Sequence, residues 1–232
     1  MAEACAILFD LDDTLYPLER FVMSGFRAVA RHLEASRGID GAEALDLLVA
    51  AFTRTRGREL QVLAERYRLG EEAVPGLVAI IRRHTPELRL PELSAAVLRV
   101  LGARWRLGIV TNGHPDIQAR KVRALGLERF VGAIVYAAEH GTGGGKPEAA
   151  PFLAACRALD VTPAAAIFVG DDPICDMAGA RDAGLRTIWL PSRVDGAPTR
   201  GVDAADVLVA SLADVPAVAA RFAVPDWRAH VA

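Results

Sequence analysis

The feature that most constrains the fold is an alternation of short apolar runs with helical patterns. Ala6–Asp10 (AILFD), Leu107–Thr111 (LGIVT), Ala133–Tyr136 (AIVY), Ala166–Gly170 (AIFVG), Arg186–Leu190 (RTIWL) and Val207–Ala210 (VLVA) each read as a buried strand. Helical spacing occupies Pro115–Leu125, Ala149–Leu159 and Ile174–Ala183 between the later runs. Strands alternating with helices predict βαβ units and an α/β fold built on a parallel sheet. Loops at the C-terminal strand ends of such a sheet converge on one crevice, its usual ligand site.

The first connection breaks this rhythm, because the gap from Asp10 to Leu107 is too long for one crossover helix. Leu18, Phe21, Val22, Phe26, Val29, Ala30 and Leu33 follow helical spacing. So do Leu45, Leu48, Val49 and Phe52, and then Val74, Leu77, Val78 and Ile81. These patterns predict an all-helical insertion over residues 16–86, followed by a helix over Pro91–Ala103 with Pro91 in its first turn. Arg193–Ala205 reads as a Gly/Pro-containing loop.

Composition limits the function classes. The chain has 232 residues, 52% of them hydrophobic and 24% charged, with a formal net charge of −2. That describes a globular protein with ample core and gives no electrostatic case for a nucleic acid polymer as partner. No run of about 18 apolar residues suggests a membrane span. The N-terminal segment MAEACAILFDLDD turns acidic by Asp10, unlike a signal peptide. Cys5, Cys156 and Cys175 form no CxxC pair, so neither a disulfide framework nor a zinc site is expected, and the cytoplasm is the expected compartment. Of the 27 basic residues, only Lys121 and Lys146 are lysine. Lys121 falls on the helix Pro115–Leu125 and reads as a surface residue.

The densest chemical signal is Asp10-Leu11-Asp12-Asp13-Thr14, directly after the first strand. Two carboxylates spaced two apart can point into one site, and they repel unless a cation or shared proton compensates. Mg²⁺ suits such oxygen ligands. One carboxylate could attack phosphorus as a nucleophile, and the other could protonate a leaving oxygen and then deprotonate water. Asp13 fits an ordinary acidic turn before a helix. The second strand ends at Thr111-Asn112-Gly113, where a hydroxyl and backbone N–H groups can cradle phosphate oxygens, with His114 next in line. Lys146 follows the third strand in His140-Gly-Thr-Gly-Gly-Gly-Lys-Pro147, which matches neither phosphate-binding glycine spacing. A flexible glycine loop delivering one ammonium to the crevice fits better. The fourth strand runs into Gly170-Asp171-Asp172-Pro173-Ile174-Cys175-Asp176. Asp171 is placed to complete a metal shell, Asp176 to hold Lys146 or a metal-bound water, and Asp172 to charge a helix N-terminus.

With these four stations in order, the chain resembles the haloacid dehalogenase superfamily, in its phosphatase-type form with a helical cap. The motifs are FDLDDTLYP (Phe9–Pro17), VTNG (Val110–Gly113), Lys146-Pro147 and GDDPICD (Gly170–Asp176). The resemblance implies a Rossmann-like core over residues 1–15 and 87–232, with a cap over residues 16–86 that closes over the site. It implies that Asp10 is the nucleophile and a metal ligand, and that Asp12 is the general acid/base whose backbone carbonyl also binds Mg²⁺. Thr111 and Lys146 would hold the transferring phosphoryl group, assisted by Asn112, Gly113 and His114, and Asp171 would be the third protein ligand. The expected activity is Mg²⁺-dependent hydrolysis of a small phosphate ester, a nucleoside monophosphate or sugar phosphate, by a monomer or homodimer. Arg54, Arg56, Arg58 and Arg66 of the cap are available to a polar substrate, although solvated faces explain most of them.

Other branches fit less well. Dehalogenase relatives lack an acid/base aspartate at the position of Asp12. The phosphonate-cleaving branch needs a cap lysine, and residues 16–86 contain none. The sugar phosphomutase branch shows a histidine soon after the first motif, and LYPLERFVMSGF has none. A catalytically silent binding module predicts loss of the site aspartates, and all are present. The one departure from the family pattern is the glycine-rich approach to Lys146, which predicts a mobile lysine.

Overall fold

The computed structural model describes residues 6–191 and 205–222. The chain divides into two compact units, one reaching to Pro17 and resuming at Arg89, the other spanning Leu18–Leu88.

The first unit is an α/β fold with a six-stranded parallel sheet. Its strands are β1 (Ala6–Phe9), β2 (Arg106–Thr111), β3 (Ala133–Tyr136), β4 (Ala166–Gly170), β5 (Arg186–Trp189) and β6 (Val207–Leu208), in the order β3-β2-β1-β4-β5-β6. The apolar runs are strands because their branched side chains pack on both faces of a pleated surface. Leu8, Val110, Val135 and Phe168 pack with Phe152, Ala155, Met177 and Ala180 in one core layer. Ile7, Phe9, Ile109, Ile167 and Val169 alternate with them and are equally buried. Phe152 meets Phe168 edge-on, with ring centroids 4.9 Å apart. β1 lies at the middle, paired in parallel with β2 on one side and β4 on the other. The chain moves outward from β1 through β2 to β3 and then returns to β4, so the strand order reverses at β1. A ligand crevice opens at such a switch point.

The helices of this unit include α5 (Glu92–Gly102), α6 (Pro115–Leu125), α7 (Ala149–Ala158), α8 (Gly179–Asp182) and α9 (Val215–Phe222). Pro91 precedes the first turn of α5 rather than opening it. Two expectations are corrected. The helix predicted over Ile174–Ala183 is a wide π-type turn at Pro173–Ala178 followed by the short α8. The wide turn carries Asp176 back toward β4, where its carboxylate accepts bonds from the N–H groups of Asp171 and Asp172. The last strand is two residues long rather than four, an edge strand on which Leu208 is exposed. The loop predicted at Arg193–Ala205 lies outside the described residues except for Ala205.

The second unit is helical, with α1 (Glu19–Arg37), α2 (Gly41–Arg54), α3 (Glu59–Arg66) and α4 (Val74–Arg83). Phe26, Val29 and Leu33 of α1 pack with Leu48, Leu60, Leu63 and Leu77. Gly38 ends α1 in the left-handed conformation, and Asp40 caps α2 by accepting the Glu43 N–H at 2.9 Å. The eight-residue α3 escaped the periodicity argument because two turns hold too few apolar positions to define a face. Among the described residues, no helix is long and apolar enough to cross a membrane.

Gly179, at the start of α8, shows how closely the framework approaches the Lys146-Pro147 segment. A Cβ there would lie 2.7 Å from the Pro147 carbonyl oxygen and 2.9 Å from the Phe152 ring. Alanine in a helix is normally favoured over glycine by up to ~1 kcal/mol. Here the overpacking decides the sign, and Gly179→Ala is expected to lower stability by about 1–3 kcal/mol in urea unfolding. A stabilised variant would show that this contact yields freely.

Candidate active site

Four strand ends supply the site. Asp10 follows β1 and continues its pairing, donating its N–H to the Val169 carbonyl at 2.9 Å. Thr111 ends β2, and Asp171 follows β4. Lys146 arrives from the segment after β3. Its ammonium donates to Asp10 Oδ1 at 2.5 Å and Asp176 Oδ1 at 2.6 Å, and it lies 5.4 Å from the centre of the Phe168 ring. The side chains of Lys146 and Asp176 are each only 2% exposed.

The expectation of a mobile Lys146 is overturned. Asn112 grips the lysine backbone from both sides, accepting its N–H at 2.8 Å and donating to its carbonyl at 3.0 Å. The preceding glycines permit close approach. A Cβ on Gly145, at φ +135°, would lie 2.5 Å from Asn112 Oδ1. Glu148 folds back over the loop and accepts the N–H groups of Thr142 and Gly143, and a Cβ on Gly141 or Gly143 would strike its carboxylate.

Asp12 has a separate set of partners. Lys121 donates to both of its oxygens, at 2.9 and 2.8 Å. Tyr16 Oη donates to Oδ1 at 2.6 Å, and Gln118 Nε2 to Oδ2 at 3.0 Å. Gln118 Nε2 also donates to the Thr111 hydroxyl at 2.6 Å. The reading of Lys121 as a surface residue is therefore wrong: it is 4% exposed, on the α6 face that also buries Gln118, Val122 and Leu125. Sequence reasoning also missed Gln118 and Tyr16. Lysine scarcity, together with polar residues three apart on an otherwise buried helix face, carried the signal.

The remaining predicted residues are placed as follows. Asp172 caps the turn after β4 by accepting the N–H groups of Ile174 and Cys175. Gly113 adopts φ +113° above the Gln118 side chain. His114 is exposed at the start of α6, with Asp116 as its nearest charged partner at 3.9 Å. Asp13 takes a left-handed φ of 58°, and its N–H bonds the Tyr16 carbonyl, folding the acidic turn back on itself.

Charge is unevenly balanced across this cluster. Burial raises the Asp10 pKa well above the usual carboxylate value, while the Lys146 ammonium opposes that rise and Asp176 reinforces it. Burial disfavours the Lys146 ammonium, but attraction to Asp10 and Asp176 and their hydrogen bonds outweigh it, so its pKa rises and the charge is kept. Asp171 is pushed from 3.8 up to about 7, first by burial and then by Asp176, Asp13 and Asp172. Carboxylate oxygens of Asp10, Asp171 and Asp176 lie within 4.8 Å of one another. Hard oxygen donors carrying more negative charge than one ammonium offsets are the donor set that a hard divalent cation takes.

A family model described as haloacid dehalogenase-like hydrolase matches residues 6–184. The chain belongs to this family. It is by that membership a hydrolase, and its relatives differ in substrate. A glyceraldehyde 3-phosphate phosphatase of Methanopyrus kandleri is 30% identical over 197 residues, covering 80% of this chain and 83% of that protein. A phosphoserine phosphatase of Thermus thermophilus is 36% identical over 100 residues, covering 43% of this chain and 39% of that protein. The crystal structure of a 2-haloacid dehalogenase from Pseudomonas syringae is 26% identical, with a TM-score of 0.62 and coverage of 94% of this chain and 99% of that one.

The Asp171 shift gives a pH dependence with a definite sign. Below the unfolded value of 3.8 the group is protonated in both states and contributes nothing. As pH rises toward about 7, the unfolded state loses the proton first, and the metal-free fold is progressively destabilised. A cation that binds the ionised cluster relieves this. Mg²⁺ is therefore expected to raise Tm more at pH 8 than at pH 5, and equal shifts at both would contradict the assignment.

Proposed function

We propose that this chain is a Mg²⁺-dependent phosphatase that hydrolyses a small phosphorylated metabolite through an aspartyl-phosphate on Asp10. One observation carries the reading: the carboxylates of Asp10 and Asp12, two residues apart, have different hydrogen-bonding and ion-pair partners. Asp10 lies with Lys146, Asp171 and Asp176, and Asp12 with Lys121, Tyr16 and Gln118. Two carboxylates in different surroundings can take two roles.

Asp10 attacks phosphorus in line with the leaving oxygen, forming an acyl phosphate as the ester P–O bond breaks. Asp12, protonated at this step, gives its proton to the departing alkoxide. Water then attacks phosphorus, Asp12 takes its proton, and the bond to Asp10 breaks to release inorganic phosphate. Lys146 and the Thr111 hydroxyl bind phosphoryl oxygens, and the N–H groups of Asn112 and Gly113 add donors at the same strand end. Asp176 keeps Lys146 aimed at Asp10. Asp10, Asp171 and the Asp12 backbone carbonyl would hold Mg²⁺, which when bound neutralises phosphoryl charge. The helical unit Leu18–Leu88 takes the part of the family's cap.

The relatives named for glyceraldehyde 3-phosphate and phosphoserine support a small carbon skeleton bearing one phosphate. Sugar phosphates therefore come first in the substrate class, with nucleoside monophosphates second. The structural likeness to a dehalogenase does not extend this reading to carbon–halogen cleavage, because that branch has no counterpart of Asp12.

The test is phosphate release from sugar phosphates, nucleoside monophosphates and phosphoserine, with and without Mg²⁺, beside chloride release from 2-chloropropionate. Phosphate release that requires Mg²⁺ is expected, without chloride release. Asp10→Asn should remove phosphate release altogether, and Asp12→Asn should lower it by about 10²–10⁴-fold. Turnover surviving in Asp10→Asn would refute the mechanism.

A further inference from the structure

Lys121 and Gln118 belong to no motif of the four-station pattern, yet both are buried and both end on catalytic groups. They lie three residues apart on α6 and so share one face. Lys121 is 4% exposed and Gln118 2%. With Tyr16 they place four donor contacts on the ionised form of Asp12, two on each oxygen, so both oxygens are held in place. The Gln118 amide makes a second bond, to the Thr111 hydroxyl oxygen. Because an ionised carboxylate only accepts, the NH₂ group of Gln118 must face Asp12, and its other proton is then directed to Thr111. The hydroxyl of Thr111 accepts that bond, and its own proton makes only a long 3.4 Å contact to the Asn112 carbonyl oxygen, which a phosphoryl oxygen can replace.

A purely structural explanation of Lys121 is weak. The neighbouring buried positions of α6 are Val122 and Leu125, and an apolar residue there would avoid desolvating an ammonium. The chain carries only two lysines among 27 basic residues, and each meets one of the two carboxylates Asp10 and Asp12.

We infer that Lys121 and Gln118 are positioning residues that lock the general acid/base Asp12 in place and tie its position to the phosphate-binding hydroxyl of Thr111. This deepens the phosphatase reading and rests on it. The lock fixes the carboxylate rotamer before substrate arrives, so that the proton is delivered along one direction. Its effect must therefore depend on how much the leaving group needs that proton. An alkyl alcohol leaves poorly as an alkoxide and needs it, whereas p-nitrophenolate leaves without it.

The test compares kcat/KM, which reports the phosphorylation step, for the best alkyl phosphate of the substrate panel and for p-nitrophenyl phosphate. Both are measured on the full chain with Mg²⁺. Lys121→Met is expected to lose at least about tenfold more kcat/KM on the alkyl ester than on the aryl ester, within the range of general acid catalysis. Gln118→Leu, which removes no charge, should show the same bias with a smaller factor and serves if Lys121→Met does not fold. Lys121→Arg should recover part of the alkyl activity. Equal losses on both esters, in whichever of the two variants folds, would make these residues structural and overturn the inference while leaving the phosphatase reading intact. If the unaltered chain hydrolyses no alkyl phosphate, that reading falls and the inference falls with it.

Discussion

The site depends first on one ammonium shared by two buried carboxylates. Asp10 comes from the end of β1 and Asp176 from the turn after β4, and Lys146 donates to both within 2.6 Å. Without that charge, two carboxylates at this separation in a buried place would repel each other and protonate. A guanidinium is planar and forked, whereas an ammonium is compact with three donors, so lysine fits between two oxygens that approach from different strands. Much of the nearby framework serves this contact. Asn112 pins the lysine backbone, Gly145 allows the approach to Asn112, Glu148 shapes the loop, and Gly179 leaves room for Pro147.

The second lysine divides the labour. Lys146 lies where a nucleophile and a metal would share negative charge, and Lys121 lies on the carboxylate proposed as the acid/base. Both ammonium groups are buried, which is costly unless each is paired and hydrogen-bonded. Each is: Lys146 between Asp10 and Asp176, Lys121 across both oxygens of Asp12. The elevated Asp171 pKa marks what remains unbalanced, since no ammonium reaches it among the bonds described. An acidic group without a matching ammonium thus lies beside Asp10, in the cluster whose oxygens could hold a cation.

The sheet was legible in the sequence because apolar runs of four or five residues, bounded by turn residues, have few other readings. β3 and β4 and the helix α6 have the limits that the pattern suggested. The acidic positions were legible because a carboxylate directly after a buried strand has only the crevice to face. What could not be read was set by tertiary contact. Lys121 has the polarity of a surface residue, and only the fold shows that its position on α6 faces Asp12. The glycine run before Lys146 suggested motion by composition, yet Gly141, Gly143 and Gly145 serve close packing against Glu148 and Asn112. The wide turn at Pro173–Ala178 keeps helical spacing in sequence and departs from it through the Met177 N–H bond to the Asp172 carbonyl, while Asp176 bonds two backbone N–H groups.

Register is the remaining link between sheet and site. Strands buried on both faces lack the inside–outside alternation that usually fixes pairing, so apolar pattern alone specifies their register weakly. Here β1 and β4 pair with Phe9 opposite Val169, which sets Asp10 beside Gly170 and just short of Asp171. Sliding β1 by one residue toward the core would draw Asp10 between apolar strands and away from Lys146, and sliding it outward would break the bond from the Asp10 N–H to Val169. A one-residue slip also sends each side chain to the opposite face, so Asp10 would leave the cluster entirely. The charged strand ends therefore supply the register information that the apolar strands lack. The same contacts that gather the site help to select the sheet that holds it.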